Sequence, residues 1–412
     1  MSDFLNNFID DNSTNKNTDK KTTKKETNLT KFENKDDTLK VQFKARGFPE
    51  EEILVPKFKK EISSVVNVSI ILYGPSGSGK TVIVRDMMHL TKSCFPMVFA
   101  FVPTNSEKHD YDKMIPKPMV YEDFGLKEIK DIYIRQKSTT EIYNNANNLK
   151  TLNSLFLRIA NAKAKEYLKK LLYFKERAIK EAEDKCTTIA EKKSKKDDIE
   201  DVFKEKLIRF YKQVINPNVK KLQAMNNELT QEEKFALRYR NLNPRVLILF
   251  DDALVEVMKL LREGKRKEDE TIKNFFFKGR WANITHWYAF QDDTKLDSDI
   301  RKNAFKSIFT DKQVALAFFN RTANSFTPLE KKRAEAVINI IFSEDTAPKY
   351  AKLIYSRLDK NKFSYIVADD YDESDIKMCS SIVRKYCETI LNNNDKFDIN
   401  NPFFSKFKDQ LS

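Results

Sequence analysis

The residues between positions 74 and 81 match the pattern of a phosphate-binding loop, G-x-x-x-x-G-K-[ST], in full. In such a loop the glycines let backbone N–H groups turn inward around a β-phosphate, and the helix that follows adds its positive amino end. Lys80 is placed to reach the β- and γ-phosphate oxygens, and the Thr81 hydroxyl to bind Mg²⁺. The sequence therefore predicts a site for ATP and Mg²⁺ built from Gly74, Pro75, Ser76, Gly77, Ser78, Gly79, Lys80 and Thr81.

Two carboxylates follow directly after the apolar segment Arg245–Phe250. A phosphate-binding loop needs a carboxylate on a neighbouring strand, and ligands of parallel sheets bind at the carboxyl ends of the strands. We expect Asp251 to hold Mg²⁺ through water and Asp252 to polarise the attacking water as a general base. The alternative is an ordinary strand followed by a helix N-cap, for which Asp is also suited.

A third polar group stands at the end of the apolar segment Ile284–Phe290, where the chain continues with Gln291. An amide at the tip of the strand beside the metal-binding strand can touch both the γ-phosphate and the attacking water. We therefore expect Gln291 to sense the state of the nucleotide. A polar residue at a strand end is common by itself, and Gln291 gains its meaning as the third element in the right order.

Short apolar segments, several of them β-branched, predict the strands that position these groups. Because most of them do not alternate with polar residues, they are typical of a mainly parallel sheet covered by helices on both faces. We predict an α/β fold of the P-loop NTPase type, with an extra strand between the P-loop strand and the metal-binding strand and with a long helical insertion. The predicted strands are Thr38–Ala45, Asn67–Tyr73, Met97–Val102, Arg245–Phe250, Ile284–Phe290, Ser307–Thr310 and a hairpin of Tyr350–Ser356 with Lys362–Ala368; the predicted helices include Thr81–Leu90, Ala253–Glu263 and Asp372–Asn392.

Shifts in composition divide the chain into segments. The first is rich in Asn, Asp, Thr and Lys and predicts a disordered polar arm. The middle carries apolar residues at helical spacing among charges, which predicts amphipathic helices and an αα-hairpin. The segments are the arm (1–37), the first part of the ATPase domain (38–125), the helical insertion (126–240), the second part of that domain with its hairpin (241–371), and a C-terminal helix and tail (372–412).

The net charge, the apolar segments and the cysteines indicate what kind of partner and compartment to expect. The 412 residues include 75 Lys plus Arg against 61 Asp plus Glu, a net charge of +14, which favours a polyanionic partner such as nucleic acid. The apolar runs are too short to span a membrane, and no secretory signal is visible at the amino terminus. The four cysteines have no zinc-type spacing and are too few for a disulfide framework, so we expect an intracellular protein.

Taken together, these motifs resemble those of the poxvirus-type genome-packaging ATPases, which belong to the FtsK/HerA superfamily. The resemblance covers Val66–Pro103 and Pro244–Thr310 and rests on GPSGSGKT, LILFDD, the Gly279-Arg280 pair and the segment Asp299–Asn303. It implies a homo-oligomeric ring that couples ATP hydrolysis to moving double-stranded DNA into a capsid. It also implies a capsid or virion membrane protein as partner, and a location at the cytoplasmic assembly site of the infected cell and in the virion.

The same resemblance implies that Arg280 acts across a subunit boundary on the neighbour's phosphate, with Arg301 as the alternative. A surface arginine after a Phe-rich helix is the structural alternative for Arg280. The superfamily often has Asp-Glu where this chain has Asp251-Asp252. Two other functions stay open: a helicase or recombination-type DNA-dependent ATPase, and a virion assembly factor that ATP switches without translocation. The insertion could be a DNA-facing clamp, a capsid-docking arm or a spacer.

Overall fold

The computed structural model describes residues 38–44, 50–103, 105–291, 294–343, 345–357, 359, 361–393 and 397–401. The polar arm predicted over residues 1–37 lies outside the described residues. Within the described part, the strands are β1 (Thr38–Phe43), β2 (Glu51–Pro56), β3 (Ser69–Tyr73), β4 (Met97–Phe101), β5 (Val120–Tyr121), β6 (Val246–Asp251), β7 (Ile284–Phe290), β8 (Lys306–Phe309), β9 (Lys352–Ser356) and β10 (Phe363–Ile366).

The helices alternate with these strands and are concentrated between β5 and β6. They are α1 (Lys80–Thr91), α2 (Asn105–Met114), α3 (Leu126–Ala146), α4 (Leu149–Ile159), α5 (Ala162–Glu183), α6 (Ile189–Ile215), α7 (Val219–Ala224), α8 (Gln231–Arg238), α9 (Leu254–Arg266), α10 (Glu270–Lys278), α11 (Ser298–Asn303), α12 (Lys312–Asn320), α13 (Pro328–Ile341) and α14 (Ser381–Asn392). No helix among the described residues is both long and apolar enough to cross a bilayer.

In the described part of the chain, the main sheet has eight strands in the order β10-β9-β8-β3-β7-β6-β4-β5. The strands from β8 to β5 are parallel, whereas β9 pairs antiparallel with both β8 and the edge strand β10. Every residue of β6 and β7 is buried, so both faces of the sheet are covered by other elements. The predicted fold class, a mainly parallel P-loop NTPase sheet with helices and a helical insertion, is confirmed.

The order of the strands determines which residues meet at the candidate site. Strand β7 lies between β3, which leads into the phosphate-binding loop, and β6, which ends in Asp251. The three carboxyl ends therefore meet at one edge of the sheet, which we call the loop edge. This order agrees with the predicted extra strand between the loop strand and the metal-binding strand.

The helical region has a core of its own. Helices α5 and α6 are joined by residues 184–188 and pack side by side as an αα-hairpin, and their inner residues join a separate apolar cluster with Leu155 and Phe156 of α4. Helix α3 differs from the helices after it, because its Ile129 and Ile132 belong to the core of the sheet. The Gln136 amide of α3 donates to the backbone carbonyls of Pro244 and Ala282, which ties this helix to the sheet.

The structure corrects one predicted helix. The prediction of a helix over Asp372–Asn392 is wrong in its first half, because α14 begins at Ser381. In the preceding segment Ile376, Met378 and Cys379 are buried, and the Met378 N–H donates to the Met114 carbonyl instead of to a helical partner. The Ser380 hydroxyl then accepts from the Val383 N–H and caps α14. A short 3₁₀ turn at Glu373–Asp375 is the only helical backbone within residues 372–380.

Strands β1 and β2 form a separate two-stranded antiparallel sheet. This confirms the predicted strand that begins at Thr38, although Ala45 lies outside the described residues. The chain continues from β2 along the edge of the main sheet, where the Phe58 N–H donates to the Tyr365 carbonyl at 2.7 Å. The small sheet is thereby attached next to β10.

Candidate active site

The phosphate-binding loop occupies the turn between β3 and α1. Gly79 has φ +98°, a left-handed conformation that a residue with a side chain rarely adopts. A side chain on Gly74 has no room, because a Cβ there would lie 1.8 Å from Thr310 Oγ1. Pro75, Ser76 and Gly77 form the exposed rim of the loop. The glycines are therefore required by backbone geometry and by close packing against β8.

Lys80 begins α1 and points back into the loop. Its side chain is buried, with 7% of the residue exposed, and its Nζ donates to the carbonyls of Gly74 at 2.8 Å and Pro75 at 3.1 Å. A buried ammonium that is held only by carbonyls is poised to exchange them for phosphate oxygens, which carry more negative charge. Thr81 follows on the first turn of α1, and its residue is partly exposed.

Asp251 ends β6 as a buried carboxylate, with 2% of the residue exposed. Its Oδ2 accepts a hydrogen bond of 2.6 Å from the Tyr111 hydroxyl of α2, and Tyr111 itself is fully buried. A short bond from a phenol to a carboxylate fixes the orientation of the carboxylate. Tyr111 therefore positions the acid that we expect to hold the metal.

Asp252 turns its carboxylate out of the strand. Its backbone has φ +47°, which is uncommon for a residue other than glycine, and its N–H donates to the Ala289 carbonyl of β7 at 3.0 Å. The Gln291 amide donates to Asp252 Oδ2 at 3.3 Å. The structure thus places the predicted general base and the predicted sensor in contact, on the ends of adjacent strands.

The loop and this pair belong to the same edge of the sheet. The Gly74 N–H donates to the Phe290 carbonyl at 3.2 Å, so the first residue of the loop is bonded to the residue that precedes Gln291. The loop edge therefore carries the predicted residues from Gly74 to Thr81 together with Asp251, Asp252 and Gln291.

The residues at this edge fit ATP and Mg²⁺. The loop backbone forms a turn that opens above an ammonium group, and the Thr81 hydroxyl and the Asp251 carboxylate are the hard oxygen ligands that Mg²⁺ prefers. When bound, Mg²⁺ neutralises charge on the phosphates.

Sequence reasoning missed two residues of this edge besides Tyr111. Thr310 follows β8, and its hydroxyl lies 2.6 Å from Ser78 Oγ and 3.1 Å from the Tyr73 carbonyl. Lys352 begins β9 and donates from Nζ to the Thr310 carbonyl at 2.9 Å. Its Cε lies 3.9 Å from the place that a Cβ on Gly79 would take, and burial lowers its pKa.

A signal in the sequence existed for only one of these three residues. Thr310 is a polar residue at the end of a predicted strand, the same feature that identifies Asp251 and Gln291 as candidates. Tyr111 lies in helix α2 and Lys352 begins strand β9, and the sequence does not indicate how these two elements pack against the loop.

The two predicted arginines do not join the loop edge. Arg280 is exposed in the 3₁₀ turn before β7, where its guanidinium lies over the rings of Trp281 and Phe305 at 5.0 and 5.1 Å. Strand β7 separates it from Gln291 by about 20 Å at ~3.3 Å per residue. Arg301 is buried in α11, with 5% exposed, and donates to the Leu296 carbonyl at 2.8 Å. Of these two arginines, Arg280 is the one that is accessible to another molecule.

Comparisons with known proteins find relatives in a virus. No protein-family model matches the sequence. Protein B354L of African swine fever virus, described as uncharacterized, is 26% identical over 372 residues in the isolates Tick/Malawi and Warthog/Namibia. The aligned region covers 86% of this chain and 97% of the viral relative. The similarity therefore runs over nearly the whole length of the relative.

Among solved structures, the similar ones are distant. The conjugation coupling protein TcpA of pCW3, in a monomer form with ATPγS, has a TM-score of 0.35 at 13% identity and matches 87% of this chain and 72% of its own. ATPases 2 and 3 of EssC from Geobacillus thermodenitrificans give 0.30 at 11% identity, over 87% of this chain and 49% of theirs. The bacterial conjugative coupling protein TrwB gives 0.30 at 11% identity, over 79% and 93%.

Proposed function

We propose that the protein hydrolyses ATP at the loop edge in a Mg²⁺-dependent reaction. The observation that carries the proposal is the contact between Asp252 and Gln291. Gln291 follows β7, the strand next to the loop strand β3, and Asp252 follows β6, the strand after that. A loop that only binds phosphate does not need a carboxylate and an amide placed together beside it. This pair is suited to orient a water molecule for in-line attack on a γ-phosphate.

Each residue has a separate task in this proposal. Lys80 neutralises charge on the transferred phosphate, and Thr81 and Asp251 hold the metal ion. Asp252 accepts the proton of the attacking water, and Gln291 orients that water. Tyr111 keeps Asp251 in the orientation that the metal needs. Positioning and charge neutralisation supply nearly all of the catalysis in reactions of this kind.

We further propose that ATP hydrolysis drives movement of double-stranded DNA, and that the movement packages a viral genome into a capsid. The motif resemblance, the net charge of +14 and the relatives in a virus support this proposal. Contacts to DNA are expected to be mainly to phosphates and thus sensitive to salt. The proposed partners are duplex DNA and a capsid or virion membrane protein at the cytoplasmic assembly site of the host.

A closed ring of identical subunits fits the placement of Arg280. Head-to-tail contacts generate a ring when the rotation closes, and they bring the loop edge of one subunit to another face of the next. Arg280 is exposed and far from its own loop, so it is available to act on the neighbour's phosphate. We propose it as the arginine finger of that neighbouring site.

The experiment compares steady-state ATP hydrolysis with and without duplex DNA in the parent chain, Lys80→Ala and Asp252→Asn. Asn tolerates the left-handed backbone at 252, so this variant removes the base with little change in shape. We expect duplex DNA to stimulate the parent and both variants to lose roughly 10²-fold or more of kcat. Asp201→Asn, on the exposed face of α6, is the matched control and retains activity.

The outcomes separate the candidate functions. Parent-like rates in both variants contradict the residue roles. ATP hydrolysis that duplex DNA does not change contradicts the translocase and favours the switch-type assembly factor. Separation of duplex strands during hydrolysis favours the helicase alternative.

A further inference from the structure

A cavity opens at the edge of the sheet opposite the loop edge. Its volume is about 280 Å³, and it lies at the amino ends of β3, β7 and β8, next to the carboxyl end of β9. We call it the rear pocket. Its lining includes the side chains of Ser69, Arg280, Trp281, His286, Lys302 and Arg357.

The rear pocket is cationic without a counter-charge of its own. Arg280, Lys302 and Arg357 all line it, and its lining includes no carboxylate. Within the described ranges, none of the three forms an ion pair. Cations gathered in one cavity repel each other. An anion placed between them attracts each cation and so offsets this repulsion. The charge pattern therefore indicates a site for an anion.

Two nitrogen atoms in this cavity are buried without a partner among the described residues. They are Arg357 Nη2 and His286 Nε2, and 3% of His286 is exposed. Burial lowers the pKa of His286 to about 3, so its ring is neutral and able to donate one hydrogen bond. Arg357 Nη2 is a donor, and His286 Nε2 is a donor in the tautomer that carries the proton there. Buried polar nitrogen atoms without a partner are rare in folded proteins, and these two indicate a missing acceptor. His286 is not among the cations counted above, so its buried nitrogen is an independent indication of the same ligand class.

The two guanidinium groups are held in place by aromatic rings. Arg280 lies over Trp281 and Phe305, and the Arg357 guanidinium lies 6.0 Å from the ring centre of Phe326. Such contacts reduce the freedom that a long side chain loses when it binds. The planar fork of Arg matches tetrahedral oxyanions with two parallel hydrogen bonds. The geometry favours a phosphate group over a compact single-point acceptor.

The rim of the pocket indicates what carries this phosphate. Trp281 stands there with 73% of its surface exposed, although Trp is enriched in the buried parts of protein interfaces. A free phosphate ion would leave that ring in water, whereas a second protein surface would cover it. The same strands present a phosphate-binding loop at one edge and the rear pocket at the other, as head-to-tail contact between copies requires.

We propose that the rear pocket binds the terminal phosphate of the ATP held by the neighbouring copy, and that Arg357 and Lys302 act there together with Arg280. The inference rests on the proposed function, because it places a hydrolysable nucleotide at the neighbour's loop. It goes beyond a single arginine finger, since it assigns a pocket with several cationic ligands and a buried imidazole donor. Arg357 is its central ligand.

The first experiment tests the pocket without any reference to hydrolysis. Lys80→Ala serves as background because it weakens the phosphate-binding loop, and inorganic phosphate is titrated while tryptophan emission is recorded. The chain has two Trp residues, and the exposed one is stacked on Arg280. We expect a saturable change in emission that Arg357→Gln abolishes. Arg262→Gln, on the exposed part of α9, is the matched control and keeps the response.

The second experiment tests whether the site acts between copies. Arg357→Gln is expected to lower kcat by roughly 10²-fold, as the loss of one preorganised donor does elsewhere. Full chains carrying Lys80→Ala and Arg357→Gln are then mixed in equal amounts. Interfaces that join an intact loop to an intact rear pocket form only in the mixture, so we expect its rate to exceed both separate rates at least several-fold.

The outcomes distinguish the two proposals. A phosphate response that is unchanged in Arg357→Gln overturns the rear pocket. A response that depends on Arg357, with no gain on mixing, overturns the assignment to the neighbour's nucleotide while DNA-stimulated hydrolysis by the parent still stands. If phosphate competes with duplex DNA for the pocket, the ligand is a DNA phosphate and the assignment is wrong. A parent that hydrolyses no ATP contradicts the proposed function, and the phosphate titration then still decides the pocket.

Discussion

The contact between Ser78 and Thr310 ties the phosphate-binding loop to strand β8 and can be tested in detail. Three short contacts share these hydroxyls: Ser78 Oγ to the Pro75 carbonyl at 2.7 Å, Ser78 Oγ to Thr310 Oγ1 at 2.6 Å, and Thr310 Oγ1 to the Tyr73 carbonyl at 3.1 Å. Two hydroxyl protons serve three contacts. If Ser78 donates to Pro75, Thr310 shares its proton between Ser78 and Tyr73.

The magnitude follows from this count. Thr310→Val keeps the shape and removes one hydroxyl, which costs about one net hydrogen bond, or ~1 kcal/mol of the free energy of unfolding. Ser78→Ala removes the donor to Pro75 and the acceptor for Thr310, and we expect a similar loss. Because the two groups contact each other, the double variant is expected to lose less than the sum, with a coupling of about 0.5–1 kcal/mol.

The assay measures urea unfolding and the affinity for a non-hydrolysable ATP analogue in the parent, both single variants and the double variant. A looser loop is expected to weaken the affinity about 5-fold, since 1.4 kcal/mol corresponds to a factor of ten. Thr322→Val, in an exposed turn after α12, is the control for the loss of a hydroxyl. Additivity of the two substitutions within ~0.3 kcal/mol refutes the proposed tie between loop and strand.

Three further predictions address other contacts. Tyr111→Phe removes a charge-assisted hydrogen bond to Asp251, worth ~1.5–3 kcal/mol, and we expect a higher Mg²⁺ requirement for ATP hydrolysis; an unchanged Mg²⁺ titration argues against a positioning role. Lys352→Gln removes a cation beside the loop and is expected to raise the KM for ATP about 5-fold, whereas an unchanged KM places Lys352 outside the nucleotide site. Burial lowers the pKa of Lys212 to about 8 from 10.5, so the folded state disfavours its charged form, and stability rises with pH between about 8 and 10.5. Lys212→Met is therefore expected to raise the Tm more at pH 7 than at pH 9.5, while Lys204→Met on the exposed helix face changes neither, and a pH-independent gain contradicts this reasoning.

Much of the fold could be predicted because its central strands are buried on both faces. Short continuous apolar runs such as the one before Asp251 are typical of parallel strands buried on both faces. The loop motif identifies the strand that leads into the phosphate-binding loop. Strand β2 has no sequence signal because its residues, EEILVP, do not alternate between polar and apolar types and end in proline, and β5 is only two residues long. The first half of the last predicted helix failed because tertiary contacts of residues 376–379 outweigh local helical spacing.

The candidate site could be predicted where its residues follow strand ends. The contact of Asp252 with Gln291 follows from the pairing of β6 with β7, which was expected because the two apolar segments come one after the other in the chain. Tyr111 reaches the site from helix α2 and Lys352 from the antiparallel strand β9, and such long-range packing has no local signal. The rear pocket has no local sequence signal either, because Arg357 and Arg280 come together only in the folded sheet.

In the proposed function, ATP hydrolysis at the loop edge moves the protein along duplex DNA. The most direct measurement is displacement of a third strand annealed to a DNA duplex, followed over time with ATP and with a non-hydrolysable analogue. We expect the third strand to be released with ATP but not with the analogue, with the duplex left intact, and we expect no release by Lys80→Ala. Hydrolysis of ATP without release of the third strand, or release that requires unwinding of the duplex, would refute translocation along duplex DNA.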